Sequence, residues 1–394
     1  MVCQDKKYKI GIDARMYGPK QTGIGNYIKN LINNLATLDK ENDYIIFLLD
    51  GEFDRFVLPG SNFKKIKVSS YWYSWEEQVV LPWQLAKENL DLIHFPHFNS
   101  PILYRGKSVV TIHDITPLFF PGHKMGSFVR RAGFQAVFRH SVKHAFKIIA
   151  VSESTKSDIC KHFNLRPDKI KVIYEGVDLG KFTINAGEQN SLQLDEKKQR
   201  TENEAELCKR YKIKKPFIFY TGVWRNHKNL VGLIKAFNVV INKHQLDYDL
   251  VLGGEENPFY PEIRRTWEEL NLGGRIIRPG FIKNEDLPSF YRAASLVVVP
   301  SFYEGFGLVG LEAMASGTPV ATSNCTALPE VLGSAAAYFD PDDHEDMAKT
   351  INDVLTGEGL RKKLISAGFE QIKKYKWIKM AEETLEVYKE ILMR

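Results

Sequence analysis

Along most of this chain, short β-rich apolar runs alternate with helical patterns, an order that few folds accommodate. In the first half, Tyr8–Ile12, Tyr44–Leu49, Leu92–Phe95, Ser108–Ile112, Ile148–Val151 and Ile170–Tyr174 read as strands, bounded by Gly, Pro or polar residues. Between the first two, Ile24, Tyr27, Ile28, Leu31, Ile32, Leu35 and Leu38 recur at the spacing of one buried helical face. Strand–helix–strand repeats of this kind predict a parallel sheet with helices on both faces. The alternation stops in a stretch rich in Gln, Asn, Glu and Lys, Asn185 to Glu206, whose composition predicts a mobile linker. It resumes with Phe217–Thr221, Asp249–Leu252, Arg275–Ile277, Leu296–Val299 and Pro319–Ala321. At 394 residues the chain has room for two cores. The expected fold class is α/β: two doubly wound, Rossmann-like domains facing each other across a cleft, over 1–180 and 211–375. A linker at 181–210 joins them, and a final helix spans 376–394.

Composition narrows the functional classes. With 44% hydrophobic and 26% charged residues the chain is an ordinary globular one, neither disordered nor collagenous. No apolar run approaches the roughly 18 residues of a membrane span, and Met1 to Lys9 is polar with no apolar segment behind it, so neither a secretory leader nor an integral protein is expected. Cys3, Cys160, Cys208 and Cys325 lie far apart with no C-x-x-C pair, which fits reduced thiols and a cytoplasmic location. Net charge is +6, unevenly spread: residues 1–180 hold 25 Lys+Arg against 18 Asp+Glu, or +7, and the remainder 29 against 30, or −1. The excess suits an acidic partner of the first half, whether phosphate, anionic membrane or nucleic acid.

Two glycine-containing segments stand where strands meet helices. Gly18-Pro-Lys-Gln-Thr-Gly23-Ile-Gly25 precedes a helix expected to begin near Ile24, and a helix N-terminus approached through glycines can take phosphate. It lacks the third glycine of a dinucleotide fingerprint and the Lys-Ser/Thr of a P-loop, and a tight structural turn is the alternative. The other segment, Ser301-Phe-Tyr-Glu304-Gly305-Phe306-Gly307-Leu-Val-Gly-Leu-Glu312, runs from a strand end into a helix starting at Gly307 or Leu308. Its N–H groups would face an anion, Glu304 could accept hydrogen bonds from sugar hydroxyls, and Glu312, one turn on, could reach a ribose; the bland alternative is a helix-start acid and a solvated face.

Histidines and a basic helix complete the candidates. His113 and Asp114 follow a buried strand at the edge where open α/β sheets bind ligands. With His94 and His97 nearby a metal site is conceivable, but no metal-binding motif is present and none is expected. From Phe128 to Lys147, Arg130, Arg131, Arg139, His140, Lys143, His144 and Lys147 are interspersed with Phe128, Phe134, Phe138 and Phe146, a mixture suited to an anionic membrane surface or, equally, to core positions beside a solvated face. No nucleic-acid-reading module is evident.

The stretch Pro300 to Glu330, with Glu304 and Glu312 as its E-x7-E pair, resembles the donor-site signature of glycosyltransferase family 4, the group 1 retaining enzymes of GT-B fold. The similarity extends over almost the whole chain, through Gly11-Ile-Asp-Ala-Arg15 with Thr22-Gly-Ile-Gly25, Thr111-Ile-His113-Asp114, Thr221-Gly-Val-Trp-Arg-Asn-His-Lys228-Asn229, Gly280-Phe281-Ile282, and a tail at Tyr375-Lys-Trp377 that crosses back onto the first domain. It is nearest the mannosyl- and rhamnosyltransferase-like branch that builds bacterial surface polysaccharides. The resemblance implies that Lys228 meets the donor diphosphate, Glu304 the sugar hydroxyls and Glu312 the ribose. It also places the amides around Gly305, Phe306 and Gly307 on the sugar or diphosphate, and the base beside Phe281 and Ile282. Gly23 and Gly25 would close on the phosphates, His113 would touch the donor sugar, and Asp114 would orient the acceptor. The family's Arg after the glycine is here Val223, with Arg225 as its substitute.

Retaining transfer of a mannose-like hexose from a GDP- or UDP-sugar is thereby implied. The acceptor would be a glycan or a polyprenyl-diphosphate-linked glycan, the enzyme would need neither metal nor cofactor, and it would sit in the cytoplasm, peripherally on the inner face of the plasma membrane. A nucleotide-sugar epimerase or hydrolase, and a non-catalytic nucleotide-sugar binding protein, are the alternatives.

Overall fold

The computed structural model describes residues 6–18, 22–122, 128–183 and 204–394, which fall into two compact units. The first comprises the chain up to Gly176 together with Trp377–Arg394, and the second Val177–Lys376. The polar stretch expected to be a mobile linker lies mostly outside the described residues; on its flanks, Leu179–Phe182 and 204–210 are helical.

The first unit is built on seven strands: β1 (Lys9–Asp13), β2 (Asp43–Leu49), β3 (Phe63–Val68), β4 (Leu92–Phe95), β5 (Ser108–Ile112), β6 (Lys147–Ala150) and β7 (Ile170–Val172). They pair in parallel in the order β3-β2-β1-β4-β5-β6-β7. Central strands are apolar on both faces, as β2 shows with Tyr44 through Leu48 all buried, because helices cover both sides of the sheet. The order reverses between β1 and β4, and there the loops after the two strands diverge and leave a crevice at the carboxyl edge. The helix Trp377–Leu392 belongs to this unit, although 200 residues of the other unit precede it. Trp377 is buried with its ring 6.4 Å from that of Tyr27, Tyr388 meets His94, and Lys107 Nζ donates to the Ile391 carbonyl at 3.0 Å.

The second unit holds β8 (Phe217–Thr221), β9 (Asp249–Gly253), β10 (Ile276–Gly280), β11 (Leu296–Val299), β12 (Val320–Ser323) and β13 (Ala337–Phe339), parallel in the order β10-β9-β8-β11-β12-β13. Its reversal falls between β8 and β11. Ile218, Leu250, Leu252, Leu296 and Val298 meet Leu233, Phe237, Trp267 and Ile351 from the helices in one apolar core. Each such side chain contributes roughly 1.5–3 kcal/mol through its removal from water.

Two strands were not expected. β3 reads Phe-Lys-Lys-Ile-Lys-Val and sits at the sheet edge, where lysines block pairing with another chain while erasing the apolar signature. β13 is only three residues long and also at an edge.

Candidate functional site

In the second unit the candidate residues are assembled by the two loops at the sheet reversal. After β8, Trp224 and His227 of Thr221-Gly-Val-Trp-Arg-Asn-His-Lys-Asn are buried, with Trp224 Nε1 donating to the Gly253 carbonyl at 3.3 Å. Asn229, in the left-handed conformation at φ 52°, accepts from the Gly232 amide at 3.2 Å and donates from Nδ2 to the Pro341 carbonyl at 2.8 Å, so it both caps the helix Leu230–Asn242 and pins the loop. The Phe302 amide donates to the His227 carbonyl at 2.8 Å, joining this loop to the one after β11.

That junction brings Lys228 and Glu304 together. Lys228 Nζ and Ser301 Oγ both donate to Glu304 Oε1 at 2.7 Å, and the Glu304 amide donates to Thr326 Oγ1 at 3.0 Å. Burial raises the Glu304 carboxyl, but the Lys228 charge, the two hydrogen bonds and His227 outweigh it, and the net position is below the ordinary range. Glu304 Oε2 makes no hydrogen bond to any described residue, so an ionised oxygen remains for a ligand hydroxyl. Burial drives His227 down to about 3, so beside Lys228 it is a neutral ring.

Gly307 starts the helix Leu308–Ala315 at φ 100°, with no side chain capping its first turn. A Cβ at that position would lie 2.8 Å from Leu328 Cδ2, so both backbone and space call for glycine. The helix mouth thus presents backbone N–H groups and the positive end of its dipole beside Glu304. Phe306 is buried with its ring edge-on to Tyr375 at 5.6 Å. One turn into the helix, Glu312 Oε2 accepts from the Tyr291 hydroxyl at 2.7 Å. Burial pushes its carboxyl up to about 7, with Asp178 adding to the rise and Tyr291 and Lys181 opposing it. Phe281 is exposed, whereas Ile282 is buried against the Gly253 backbone. Arg225 is exposed, and its side chain makes no hydrogen bond or ion pair among the described residues, its carbonyl accepting from the Lys228 amide at 2.9 Å.

In the first unit, His113 follows β5 with its Nε2 2.9 Å from the Pro96 carbonyl and its Nδ1 2.7 Å from Glu175 Oε1. A carbonyl and a carboxylate on opposite ring nitrogens are both satisfied only by the doubly protonated imidazolium. Burial opposes that charge, but Glu175, the Pro96 carbonyl and Asp114 outweigh it and the His113 pKa is raised. Asp114 Oδ1 accepts from the Thr116 amide at 2.8 Å, a local turn bond. The helix expected near Ile24 starts at Thr22, so Gly23 and Gly25 lie inside its first turn rather than in a loop before it, Gly23 exposed and Gly25 buried.

His94 is structural. It is buried between Tyr388 Oη at 2.5 Å and Thr111 Oγ1 at 2.8 Å, and burial pushes it down to about 3. Among the described residues no group of three or more His, Cys, Asp or Glu is placed to hold a metal. The basic helix spans Phe128–His144. Phe134 and Phe138 are core residues and Phe128 is exposed, while Phe146 and Lys147 lie beyond the helix, Lys147 opening β6. No described helix is long and apolar enough to cross a membrane.

Three partners were not singled out in the sequence. Glu175 stands before Gly176 just beyond a strand, and Tyr291 lies in a segment with no motif; Thr326 lies inside the Pro300–Glu330 stretch, but nothing in the pattern singles it out.

The sequence matches the family described as "Glycosyl transferases group 1" over residues 204–371 and that described as "Glycosyltransferase Family 4" over residues 21–181. Escherichia coli O-antigen chain mannosyltransferase B is 29% identical over 312 residues, covering 78% of this chain and 76% of that protein. Among solved structures, the sucrose-phosphate synthase of Thermosynechococcus elongatus superposes with a TM-score of 0.76 at 20% identity, covering 98% of this chain and 100% of that one. Anabaena HepE in complex with UDP and glucose gives 0.73 at 17%, covering 97% and 100%. Both share the two-domain fold.

Proposed function

From the premise that this chain belongs to the group 1 and family 4 glycosyltransferases and has their GT-B architecture, we propose that it transfers mannose, with retention of configuration, from a nucleoside diphosphate sugar to a growing surface glycan. The observation that carries the donor assignment is the pairing of Lys228 with Glu304 beside the uncapped helix mouth at Gly307, with Glu312 one turn further on. Lys228 and the helix-mouth amides would meet the diphosphate, whose charge grows as the glycosidic bond stretches, and Arg225 would add to them from the loop. Glu304 would hold sugar hydroxyls through its open oxygen, and Glu312 the ribose. Among the described residues the Lys228 ammonium is held by Glu304 alone, so an incoming phosphate would exchange one anionic partner for another. No metal is needed for this neutralisation.

The mannose donor rests on the O-antigen mannosyltransferase relative, and the nucleotide on the UDP and glucose bound to HepE, which leaves GDP and UDP both as candidates. The first domain would take the acceptor, a glycan or a polyprenyl-diphosphate-linked glycan, at an anionic membrane surface. There Asp114 would orient it, with Gly23 and Gly25 turned to phosphate. His113 has both ring nitrogens engaged by Glu175 and Pro96, so its contribution would be positive charge rather than proton transfer. With no carboxylate nucleophile singled out, attack would come on the face the leaving group departs from, with the donor phosphate taking the acceptor proton.

The test is product analysis: incubation with GDP-mannose or UDP-glucose and mannosyl acceptors, read by anomeric proton NMR. An α-linked product from an α-linked donor supports the reading, and a β-linked product or free epimerised sugar nucleotide refutes it.

A further inference from the structure

The loop that follows β11 carries Ser301 and Glu304, and it is held from one side by the end of the neighbouring strand, β12, and the turn after it. Hydroxyl groups at three positions do the holding. Thr322 Oγ1 donates to the Val299 carbonyl at 3.2 Å, Ser323 Oγ donates to the Ser301 carbonyl at 2.6 Å, and Thr326 Oγ1 accepts from the Glu304 amide at 3.0 Å. Thr322 and Ser323 are fully buried, where a polar group without a partner is costly, so their bonds belong to the packing of the strand end. Thr326 differs: it is half-buried, beyond the strand, in the connection to the helix Leu328–Leu332.

Its backbone is also unusual. Thr326 has φ 53°, in the left-handed region; the other non-glycine residues held there are Tyr, Lys, Gln and four Asn, none branched at Cβ, so Thr326 is the single β-branched one among the described residues. A branched Cβ crowds the main chain in that region, and such a conformation persists only where the surroundings over-determine it. Here the Asn324 amide donates to the Phe339 carbonyl at 2.9 Å and the Leu328 amide to the Cys325 carbonyl at 3.2 Å, fixing the chain on both sides of Thr326. Leu328 lies against Gly307 at the helix mouth, so this strained turn adjoins both Glu304 and the uncapped amides.

Glu304 is thereby anchored twice. Its amide is on Thr326, and its Oε1 accepts from Ser301 Oγ and Lys228 Nζ. Of these three partners, Lys228 is the one that a bound diphosphate would draw away. Ser301 and Thr326 then remain to hold the carboxylate, the first through the Ser323 bond to its carbonyl and the second through the turn itself.

We propose that Thr326 is a positioning residue for the donor sugar: its hydroxyl holds the Glu304 main chain so that the open Oε2 stays where the sugar hydroxyls arrive once the diphosphate has taken Lys228. Thr326 acts through Glu304 and is not itself a ligand of the sugar. The proposal deepens the reading of Glu304 as the sugar-binding carboxylate and rests on it.

The test compares Thr326→Gly, which removes the hydroxyl and relaxes the backbone, with Thr326→Ser, which keeps the hydroxyl. Isothermal titration of the full chain with GDP-mannose, UDP-glucose, GDP and UDP separates the sugar from the diphosphate. For whichever sugar nucleotide the wild type binds, Thr326→Gly should lower the affinity about tenfold, because a small displacement of a positioned group is costly, while the matching free diphosphate binds as in the wild type. Thr326→Ser should stay within about twofold of the wild type for both, since the same acceptor oxygen is present. The Tm of Thr326→Gly should lie within about 3 °C of the wild type, because relief of the left-handed strain offsets the lost hydrogen bond. Wild-type affinity for the sugar nucleotide in Thr326→Gly overturns the proposal, as does an equal loss for sugar nucleotide and free diphosphate, which marks a merely structural bond. A Thr326→Ser variant that falls as far as Thr326→Gly also overturns it; in all three cases the wild type still binds its sugar nucleotide and the donor assignment stands. A wild-type chain that binds GDP or UDP but neither sugar nucleotide refutes the role of Glu304 and the proposal together, and one that binds none of the four refutes the donor site as a whole.

Discussion

Replacing Glu312 with Gln tests whether the helix carboxylate reads the donor. Burial raises the Glu312 carboxyl from the ordinary 4.5 to about 7, so ionising it in the free protein costs on the order of 3 kcal/mol. A raised carboxyl favours the protonated native state. Its contribution to stability is fully present below pH 4.5 and is lost as pH rises to about 7. A ribose diol is best held by two acceptor oxygens, hence by the ionised form. About a tenth of the protein is ionised there at pH 6 and about nine tenths at pH 8, so donor affinity should rise about tenfold between them. Isothermal titration with GDP-mannose and UDP-glucose at the two pH values measures this, and their phosphates have no ionisation in the window. In Glu312→Gln the pH dependence should vanish and affinity at pH 8 should fall about tenfold or more, the loss of a charged hydrogen bond. A tenfold slope that persists in Glu312→Gln would refute the reasoning, because some other group would then be the one that titrates.

Lys228→Ala should lower kcat/KM for transfer about 100-fold and also destabilise the second unit by about 1–3 kcal/mol, since it leaves the part-buried Glu304 carboxylate without its cation; in the double variant with Glu304→Gln, calorimetry should recover most of the stability but none of the activity. Glu175→Gln should cost about 2 kcal/mol by thermal unfolding near pH 6 and little at pH 9. The raised pKa of His113 means its ionic contribution is present below 6.5 and lost as pH climbs through the folded value. Gly307→Ala should lower stability by about 2 kcal/mol in urea titrations, because φ 100° and the Leu328 methyl both disfavour a side chain.

What the sequence makes legible follows from how each feature is held. Central strands such as Leu92–Phe95 and Phe217–Thr221 appear with the expected ends, because burial on both faces demands unbroken apolar runs. The edge strands β3 and β13 escape notice, since lysines or brevity remove that pattern. Lys228, Glu304 and Glu312 are visible as motif positions, but the bond between the first two depends on the Phe302 amide joining two loops 75 residues apart, which no local pattern encodes. The same holds for His113, whose partner Glu175 is 62 residues on. The Phe128–His144 helix shows the limit of composition: its mixture of basic and aromatic residues fits a membrane surface and core positions beside a solvated face equally, and only the packing puts Phe134 and Phe138 in the core.

The central claim is a nucleoside diphosphate site in the second unit, and thermal unfolding of the wild-type chain with GDP, UDP, dTDP, ADP and NAD tests it most directly. A diphosphate at about 100 times its dissociation constant adds about 2.7 kcal/mol to the native state, a rise of roughly 5–10 °C for a unit of this size. The account predicts that GDP or UDP gives such a shift and that NAD gives none. A shift by NAD, or no shift by any of the five at millimolar concentration, would contradict it.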